Sequence, residues 1–531
     1  AEERKARSGK VRPTTQFDLS SLPQAKDPYK MFRTPSIDVV ASTGIRRDKG
    51  SGNRFDARYE IYASGEIAGS SFDARLSSND RGVPESLRLR GYRTDPNGGL
   101  LGPLNATHFA LGDVSTNSTA LGIQTTAGRG AFVTNRPLNR SANFDRTTFR
   151  GELPDGWDAE LYRNDQLIGY VQSRGDGRYE FLDVALLYGQ NRFEVVLYGP
   201  QGQIRRDVKM IPVGLDSIPP RETYYWAAVQ DAGRDLIDLS NLESSEYSGL
   251  RGGFGLERGI DARTSVAGSW FTSMLRGRRQ HYLEASVRRA VGPTLVELAA
   301  AGNMAGGYAL RGQVLAQVGE TLISGESAWL MGNYQSQRYA ADVRRVTRLS
   351  ADHSFKFGRR YLPLRAEIRH SSRMDGSSRL EVGSRLSFNI KQINASAELE
   401  WVKDKSPNGT DPPARLDASL RLSGRVGGLR LRGEAQFGLT GDSGFRESKI
   451  TGEWRAGEKS DWRVEAGYSA SNSRGRLALG HTRRFKHFAL TGQVEAASDG
   501  SVAAGLNLAF SLGPNPHKGG IRVASEKLAS S

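Results

Sequence analysis

The sequence contains no cysteine, and its seven histidines are scattered without the HExxH or HxxxH spacing of a metal site. The missing cysteine excludes disulfide frameworks, thiolate metal sites and cysteine nucleophiles together. Paired carboxylates, a nucleophile elbow and a phosphate-binding glycine loop are also not evident. We therefore expect no cofactor and no metal, and we predict that the chain is not an enzyme.

Long apolar runs are missing as well. No stretch approaches the ~18 consecutive apolar residues of a membrane-spanning helix, and hydrophobic residues make up only 37% of the chain. This excludes insertion into a membrane through helices. A transmembrane β-barrel remains compatible with a polar average, because only alternate residues of each strand face lipid.

The chain is basic, with 74 Lys and Arg against 58 Asp and Glu and a net charge of +16. In a soluble protein this charge would favour a nucleic-acid partner. Here the basic residues recur singly between apolar neighbours and form no basic tail or helix stripe. That distribution is typical of strand alternation, so we predict no nucleic-acid partner.

Period-two alternation begins near residue 37 and recurs in segments of roughly ten residues separated by Gly, Asn, Asp or Ser turns. Phe55, Ala57, Tyr59 and Ile61 share one face of the second segment, for example. One such segment follows another with almost no helical period, although a soluble sheet would need a covering layer. We therefore expect the apolar faces to contact lipid. The alternation slips at 344–346, which predicts a bulge or a turn.

These patterns divide the chain into five parts. A charged, proline-containing and flexible leader covers 1–34, and a short tail covers 514–531. Residues 35–140 predict a first barrel segment of about six or seven strands, and 220–513 a second one of about eighteen. Between them, 144–213 reads as an inserted soluble β-domain. The predicted fold class is all-β: a large transmembrane antiparallel barrel of about 24 strands with an inserted β-sandwich.

The strands of the inserted domain are shorter and more aromatic than those of the barrel. They are predicted at 157–163, 166–172, 179–184, 191–198 and 204–211, and hairpin turns join them. Alternate apolar residues would fill a small sandwich core. The candidate core residues are Leu161, Ile168, Phe181, Val184, Phe193, Val195 and Leu197.

The polar faces of the barrel strands supply candidate pore-lining residues: Arg58, Arg88, Arg90, Arg430, Arg432, Arg463, Glu434 and Glu465. Two readings of these arginines stay open. They would bias the pore toward anions or acidic polypeptides, because a narrow channel focuses potential, or they would form salt bridges with carboxylates such as Glu60. The aromatic residues near strand ends would form a membrane girdle or serve ordinary sheet packing: Tyr224, Tyr225, Trp226, Trp329 and Trp401.

Local sequences resemble those of one known family. The stretch FALGD at 109–113 resembles the Leu-Gly-Asp strand end that fimbrial ushers carry shortly before their plug. LYRNDQLI at 161–168, GRYEFLDV at 177–184 and GQNRFEV at 189–195 resemble successive plug strands. Together with the order of parts, over roughly 35–513, the chain resembles the pore and plug of an usher, the assembly platform of the chaperone-usher pathway. It departs from the family in lacking the Pro-Gly-Pro-Phe of the plug.

The resemblance implies a barrel of 24 strands in the bacterial outer membrane, interrupted after six strands by a plug that gates the pore. It also implies outer-membrane lipid, exported protein subunits such as pilus subunits, and a periplasmic chaperone as partners. The two alternatives are a secreted or surface structural protein or adhesin built of stacked β-segments, and a plain solute porin.

Overall fold

The computed structural model describes residues 29–50, 52–137, 146–153, 157–164, 166–172, 178–198, 204–213, 218–239, 248–358, 360–390, 392–440, 444–457, 459–515 and 519–525. Within these ranges the chain forms β-strands, one short 3₁₀ turn at Gly102–Leu104 and no α-helix. No helix in the described part is long and apolar enough to cross a membrane.

Six strands precede the insert: β1 (Phe32–Arg47), β2 (Asn53–Ile67), β3 (Ser70–Ser78), β4 (Pro84–Thr94), β5 (His108–Ser115) and β6 (Ala127–Thr134). The insert contains β7 (Arg146–Glu152), β8 (Asp158–Arg163), β9 (Gln166–Gln172), β10 (Arg178–Ala185), β11 (Gly189–Tyr198) and β12 (Ile204–Val213). Five of these lie where strands are predicted above, and β7 lies where none is predicted.

Twenty strands follow the insert. They are β13 (Thr223–Ala232), β14 (Ile237–Asp238), β15 (Gly249–Gly259), β16 (Thr264–Leu275), β17 (Arg278–Val291), β18 (Thr294–Asn303), β19 (Tyr308–Val318), β20 (Thr321–Met331), β21 (Val343–Phe357), β22 (Arg360–Arg373), β23 (Ser378–Ile390), β24 (Ile393–Lys405), β25 (Arg415–Val426), β26 (Leu429–Gly438), β27 (Gly444–Arg455), β28 (Ser460–Ser469), β29 (Arg474–Arg484), β30 (Ala489–Ala497), β31 (Val502–Pro514) and β32 (Ile521–Ala524).

The barrel wall is a closed antiparallel ring of 24 strands. Each strand of β1–β6, β13 and β15–β31 pairs with its neighbours in that order, and β1 pairs with β31 from Ile37↔Leu512 to Arg47↔Val502. β14 and β32 add short pairings to β4 and β31. The predicted all-β barrel is confirmed, and the slip near 344 is a register shift between Val343 and Arg345.

The outward face of the wall is apolar. Directly paired residues share a face, and one such row across the wall consists of Val464, Leu479, Val494, Ala504, Ile45 and Phe55. Large apolar side chains of these rows are exposed, such as Phe55 at 69% and Leu506 at 52%. The inward positions between them carry charged and polar side chains. The predicted alternation therefore sorts each strand into an apolar exterior and a polar lumen.

Aromatic side chains border the apolar exterior at two levels. At one level Trp454 stacks on Trp462, whose ring also contacts the tilted ring of His481. At the other level Phe445 stacks on Tyr468. This arrangement is typical of the aromatic girdles of membrane barrels. Not every candidate girdle residue belongs to it. Trp329 is 39% exposed, whereas Tyr224 and Trp226 are buried, so the packing alternative holds for those two.

The two rims of the wall differ. At the rim where the insert is attached, called the insert rim, β17–β18, β19–β20 and β25–β26 are joined by two-residue turns, at 292–293, 319–320 and 427–428. At the opposite rim, called the loop rim, longer connections occur at 332–342 and 406–414. Outer-membrane barrels place short turns toward the periplasm and longer loops outside the cell. In such a membrane we would expect the insert rim to face the periplasm.

Gly112 and Asp113 mark the place where β5 leaves β4. Gly112 has φ +97°, and a Cβ there would lie 2.1 Å from the Leu89 carbonyl oxygen, so only glycine fits. The Asp113 carboxylate accepts hydrogen bonds from the backbone N–H of Leu89 (2.7 Å) and of Leu236 (3.1 Å). Beyond this point β14 replaces β5 as the neighbour of β4. The Leu-Gly-Asp stretch therefore turns the end of β5 away from β4, while β5 remains paired with β6 as far as Ser115.

The insert forms two small sheets, one ordered β12-β11-β8-β9 and one pairing β10 with β7. One buried apolar cluster joins both sheets and includes Leu295 and Leu315 of the wall. The cluster consists of Phe149, Leu153, Trp157, Ala159, Leu161, Tyr179, Phe181, Val184, Leu186, Phe193, Val195, Leu197, Ile211, Val213, Leu295 and Leu315. Six of the seven candidate core residues are members, and Ile168 packs against it.

The two faces of the wall predict opposite effects for one substitution on adjacent residues. Ala435 faces outward opposite Leu420, and Gln436 faces inward opposite Ser419. Arginine on the lipid side costs ~2–4 kcal/mol near the middle of the bilayer. We expect Ala435→Arg to lower the free energy of unfolding in lipid vesicles by about 2 kcal/mol, and Gln436→Arg to change it by less than about 0.5 kcal/mol. Equal losses in denaturant titrations would contradict this orientation.

Candidate functional site: the contact between the insert and the barrel wall

Two buried carboxylates lie on the outer face of the insert. On β8, Ala159 and Leu161 point into the apolar cluster, so the alternation of the strand turns Asp158 and Glu160 the other way. They nevertheless do not reach solvent, because Asp158 is 3% exposed and Glu160 is fully buried. Buried carboxylates require partners of opposite charge, and the barrel wall supplies them.

Three wall arginines surround this acidic pair. Arg432 lies 3.1 Å from Asp158 and 2.8 Å from Glu160, and Arg463 lies 3.3 Å from Asp158. Arg430 lies 3.6 Å from Glu160. Arg430 and Arg432 alternate on β26 and so share its inward face. We call these five residues the acidic latch; it fastens the insert to β26 and β28.

Tyrosines of the insert complete the acidic latch. The Arg430 guanidinium lies 3.3 Å from the ring centre of Tyr198, and Arg432 lies 5.1 Å from that of Tyr170. Such cation–π contacts strengthen when they are desolvated. Burial, and next the charge of Glu160, raise the pKa of Tyr198 to about 12. The phenol therefore stays protonated and neutral at physiological pH.

A second set of ion pairs fastens the insert on another side. Arg163 of β8 lies 3.5 Å from Asp352 of β21, and Arg146 of β7 forms an ion pair with Glu326 of β20. Burial lowers the pKa of Arg163 to about 10, and the Asp352 carboxylate opposes that shift, so Arg163 remains charged near neutral pH. Glu326 also accepts hydrogen bonds from Arg311 of the wall at 3.1 Å.

Two segments from the loop rim meet inside the barrel. Residues 116–126, which we call the inner loop, follow β5 and contact the 332–342 loop. Gln337 donates its backbone N–H to the Gly122 carbonyl at 3.1 Å, and Arg338 donates to the Thr119 carbonyl at 3.1 Å. Arg150 of the insert donates to the Thr125 carbonyl. The inner loop therefore links the insert to the loop rim.

Glu284 of β17 fixes the tip of the inner loop. Its buried carboxylate accepts the backbone N–H of Ala120 at 2.7 Å and of Leu121 at 3.1 Å. Leu121 then packs in an apolar cluster with Phe271 and Tyr282 of the wall and with the 332–342 loop. Because charge-assisted hydrogen bonds are among the stronger ones, Glu284 holds this loop in its inward position.

A cavity of about 470 Å³ remains between the insert and the wall. The insert contributes Arg163, Asn164 and Leu187, and the wall contributes inward residues of β20–β25 that include Arg385 and Ser396. Its walls carry charged, polar and apolar side chains. The lumen beside the insert is therefore only partly filled.

The candidate pore-lining residues take two different roles. Arg430, Arg432 and Arg463 contact the insert in the acidic latch. Four others form salt bridges within the wall: Arg88 with Asp235 at 3.3 Å, Arg90 with Asp73, Glu434 with Arg421 at 3.2 Å, and Glu465 with Lys449 at 3.3 Å. Arg58 lies half-buried on β2 opposite Ser42. Most of these charges are thus compensated by salt bridges.

The sequence did not single out the insert's half of this contact. Asp158, Glu160 and Arg163 lie on one short strand as ordinary polar alternates. The sequence carries no signal that wall residues 189 to 305 positions away cover them. The sequence likewise gives no sign that Glu284 binds the inner loop. Among the described residues, no three His, Asp or Glu side chains are grouped so that they could hold a metal ion.

Comparison with known proteins finds no matching family model and no similar curated protein. One chain of the E. coli P pilus tip assembly intermediate PapC-PapD-PapK-PapG superposes with a TM-score of 0.59 over 95% of this chain, at 12% sequence identity. This chain spans 64% of the length of that one. The P pilus usher (PapC) translocation pore has a TM-score of 0.47 and 11% identity, covering 90% of this chain and 99% of that one.

The first of these superpositions shows the fold. The chain has the large closed barrel of an usher pore, as the resemblance in the sequence predicts. At 12% identity the likeness extends to architecture and not to residues.

The contact at Glu284 yields a prediction for the inner loop. Glu284→Leu leaves the Ala120 and Leu121 N–H groups buried without an acceptor, and losing hydrogen bonds to a charged group costs ~1.5–3 kcal/mol. We expect hydrogen exchange of these two amides to accelerate by about 10- to 100-fold in the purified barrel. Glu297→Gln, which alters a wall carboxylate paired with Arg288 and Arg311, is the control. Unchanged exchange would show that another contact holds the loop.

Proposed function

We propose that the chain is a gated outer-membrane pore for the export or assembly of surface proteins such as pilus subunits. The two small sheets of the insert act as a β-sandwich plug that occupies the lumen in the closed state. The barrel fold, the apolar exterior with two aromatic levels and the polar interior support the membrane location. The acidic latch is the observation that carries the gating proposal.

The acidic latch suits a plug that must be released. A buried ion pair loses ~3–5 kcal/mol when one partner is removed, because the other charge is left uncompensated. When the whole insert is displaced into a hydrated lumen or the periplasm, water solvates the charged groups of both the insert and the wall. No buried charge is then left without a partner. The insert is thereby held firmly in place and separates as a unit.

The partners follow from the same proposal. Exported subunits and a periplasmic chaperone fit a chain whose structural neighbour belongs to the PapC-PapD-PapK-PapG assembly. The insert rim, which we assign to the periplasm, is the side from which such partners would approach. The interior rows of paired Arg, Asp and Glu offer a hydrated, polar path for a folded cargo.

The two alternatives differ from this proposal in specific ways. A scaffold of stacked or solenoidal β-segments has open sheet edges, whereas this wall closes on itself through β1 and β31. A plain solute porin would conduct without displacement of the insert. The cavity of about 470 Å³ beside the insert is the feature that favours some permeation of small solutes in the closed state.

Neutralising the acidic latch should open the pore. In Asp158→Asn/Glu160→Gln the three arginines lose their buried counter-charges, so the seated insert is destabilised by more than ~1.4 kcal/mol and the open fraction rises at least about tenfold. Single-channel recording in planar bilayers measures this fraction. Glu381→Gln, a wall carboxylate paired with Arg379 and Arg369, is the control and should leave the fraction unchanged. An unaltered closed fraction in the double variant would refute gating by the insert.

Tethering the insert should close the pore. The chain has no cysteine, so Asn164→Cys on the insert and Ser396→Cys on the wall, which both line the cavity, can be joined by a thiol-cleavable bifunctional reagent. We expect the tethered protein to show no large conductance steps and to regain them after reduction. Asn164→Cys alone, treated identically, is the control. Large steps that persist in the tethered protein would mean that the pore opens without moving the insert, as in a porin.

A further inference from the structure

An apolar groove of about 460 Å³ crosses the outward face of β28–β31 and β1. Trp462 and His481 form one end of it, and Phe55 and Ile45 form the other. The side walls are Leu479, Val494 and Leu506. Nearly all of its lining is apolar, and it is open toward the surrounding membrane.

The groove exists because small residues occupy outward positions between large ones. Gly492 pairs with His481 on one side and with Leu506 on the other, and Ala504 lies in the next outward row. A Cβ added at Gly492 would lie 3.7 Å from Leu506 Cδ2, an ordinary contact. A larger side chain at 492 would therefore fill the groove without a clash.

Basic side chains stand at the end of the groove nearest the insert rim. Arg483 follows His481 by two residues on β29, about 7 Å along the strand, and is exposed. Its guanidinium lies 5.7 Å from the ring centre of Phe485, and the exposed Lys486 follows in the same turn. Lys459, also exposed, lies in the neighbouring turn between β27 and β28. The groove thus combines an apolar channel with a cationic, aromatic end.

We propose that this groove binds one anionic glycerophospholipid of the periplasmic leaflet. An acyl chain lies in the apolar channel over Gly492, and the phosphate contacts Arg483 and Lys486. Arginine and lysine near a membrane surface attract anionic headgroups, and apolar burial holds the chain. The groove is continuous with the outward face of the wall, and its Trp462 and His481 end lies near the rim of the short turns. The inference depends on the proposed membrane location but not on gating by the insert.

The test uses the purified full chain in detergent, with dioleoylphosphatidylglycerol as the probe and native mass spectrometry as the readout. We expect one tightly retained lipid per chain. Arg483→Ala/Lys486→Ala should weaken its retention about tenfold or more, and Gly492→Val should abolish it by filling the channel. Conductance of these variants should match the parent chain, which separates this inference from the gating proposal.

Matched variants control for loss of folding. Gly433→Val changes an outward glycine on β26 that contacts Leu422 and Ile450 in a similar way, and Arg289→Ala removes an exposed arginine of β17. Both should retain the lipid. Equal retention by all variants would overturn the proposal. So would equal affinity for dioleoylphosphatidylcholine, whose headgroup has no net charge, or a preference for lipopolysaccharide, which belongs to the other leaflet.

Discussion

A closed ring of strands forces every second side chain into a lumen that must be solvated, and the rest of this structure depends on how that lumen is compensated. Arginine and carboxylate side chains of neighbouring strands pair across the inward face, as Arg421 does with Glu434 and Arg385 with Glu398. Where the insert lies against the wall, its side chains compensate the inward charges that water and neighbouring strands compensate elsewhere. Asp158 and Glu160 there face arginines that would otherwise be solvated.

The same constraint explains why the contact between insert and wall is mainly ionic. Leu295 and Leu315 make one apolar contact with the insert's core, but the other fastenings are charged: the acidic latch, Arg163 with Asp352, and Arg146 with Glu326. If the insert is displaced as we propose, a contact made of apolar side chains would leave a hydrophobic patch on the wall of the open pore. An ionic contact would leave a polar surface that water solvates.

The outward face follows a different rule, because lipid accepts no polar groups there. The outward side chains are nearly all apolar, so one part of this face differs from another mainly in side-chain size. Gly492 and Ala504 in a field of leucine, valine and phenylalanine create a groove where the rest of the surface is even. In the proposed membrane setting, the aromatic levels would set the depth of the barrel. They would then place the basic end of the proposed lipid groove at the headgroups.

The class of fold can be predicted from the sequence, because a period of two is a local property of the residues in each strand. The sequence also predicts an insert with an apolar core, and it predicts an inward position for Arg430, Arg432 and Arg463, since alternation indicates which side of a strand a residue faces. It could not report what lies opposite. Asp158 and Arg463 are 305 positions apart, and only ring closure and the docking of the insert bring them together. The same holds for Glu284 and the tip of the inner loop.

Tyr224 and Trp226, whose position near a strand end favours a girdle, are buried because their side of the strand faces the lumen. Only the tertiary structure decides which distant polar groups become partners. The sequence does not distinguish a polar strand residue that faces water from one that faces a buried counter-charge.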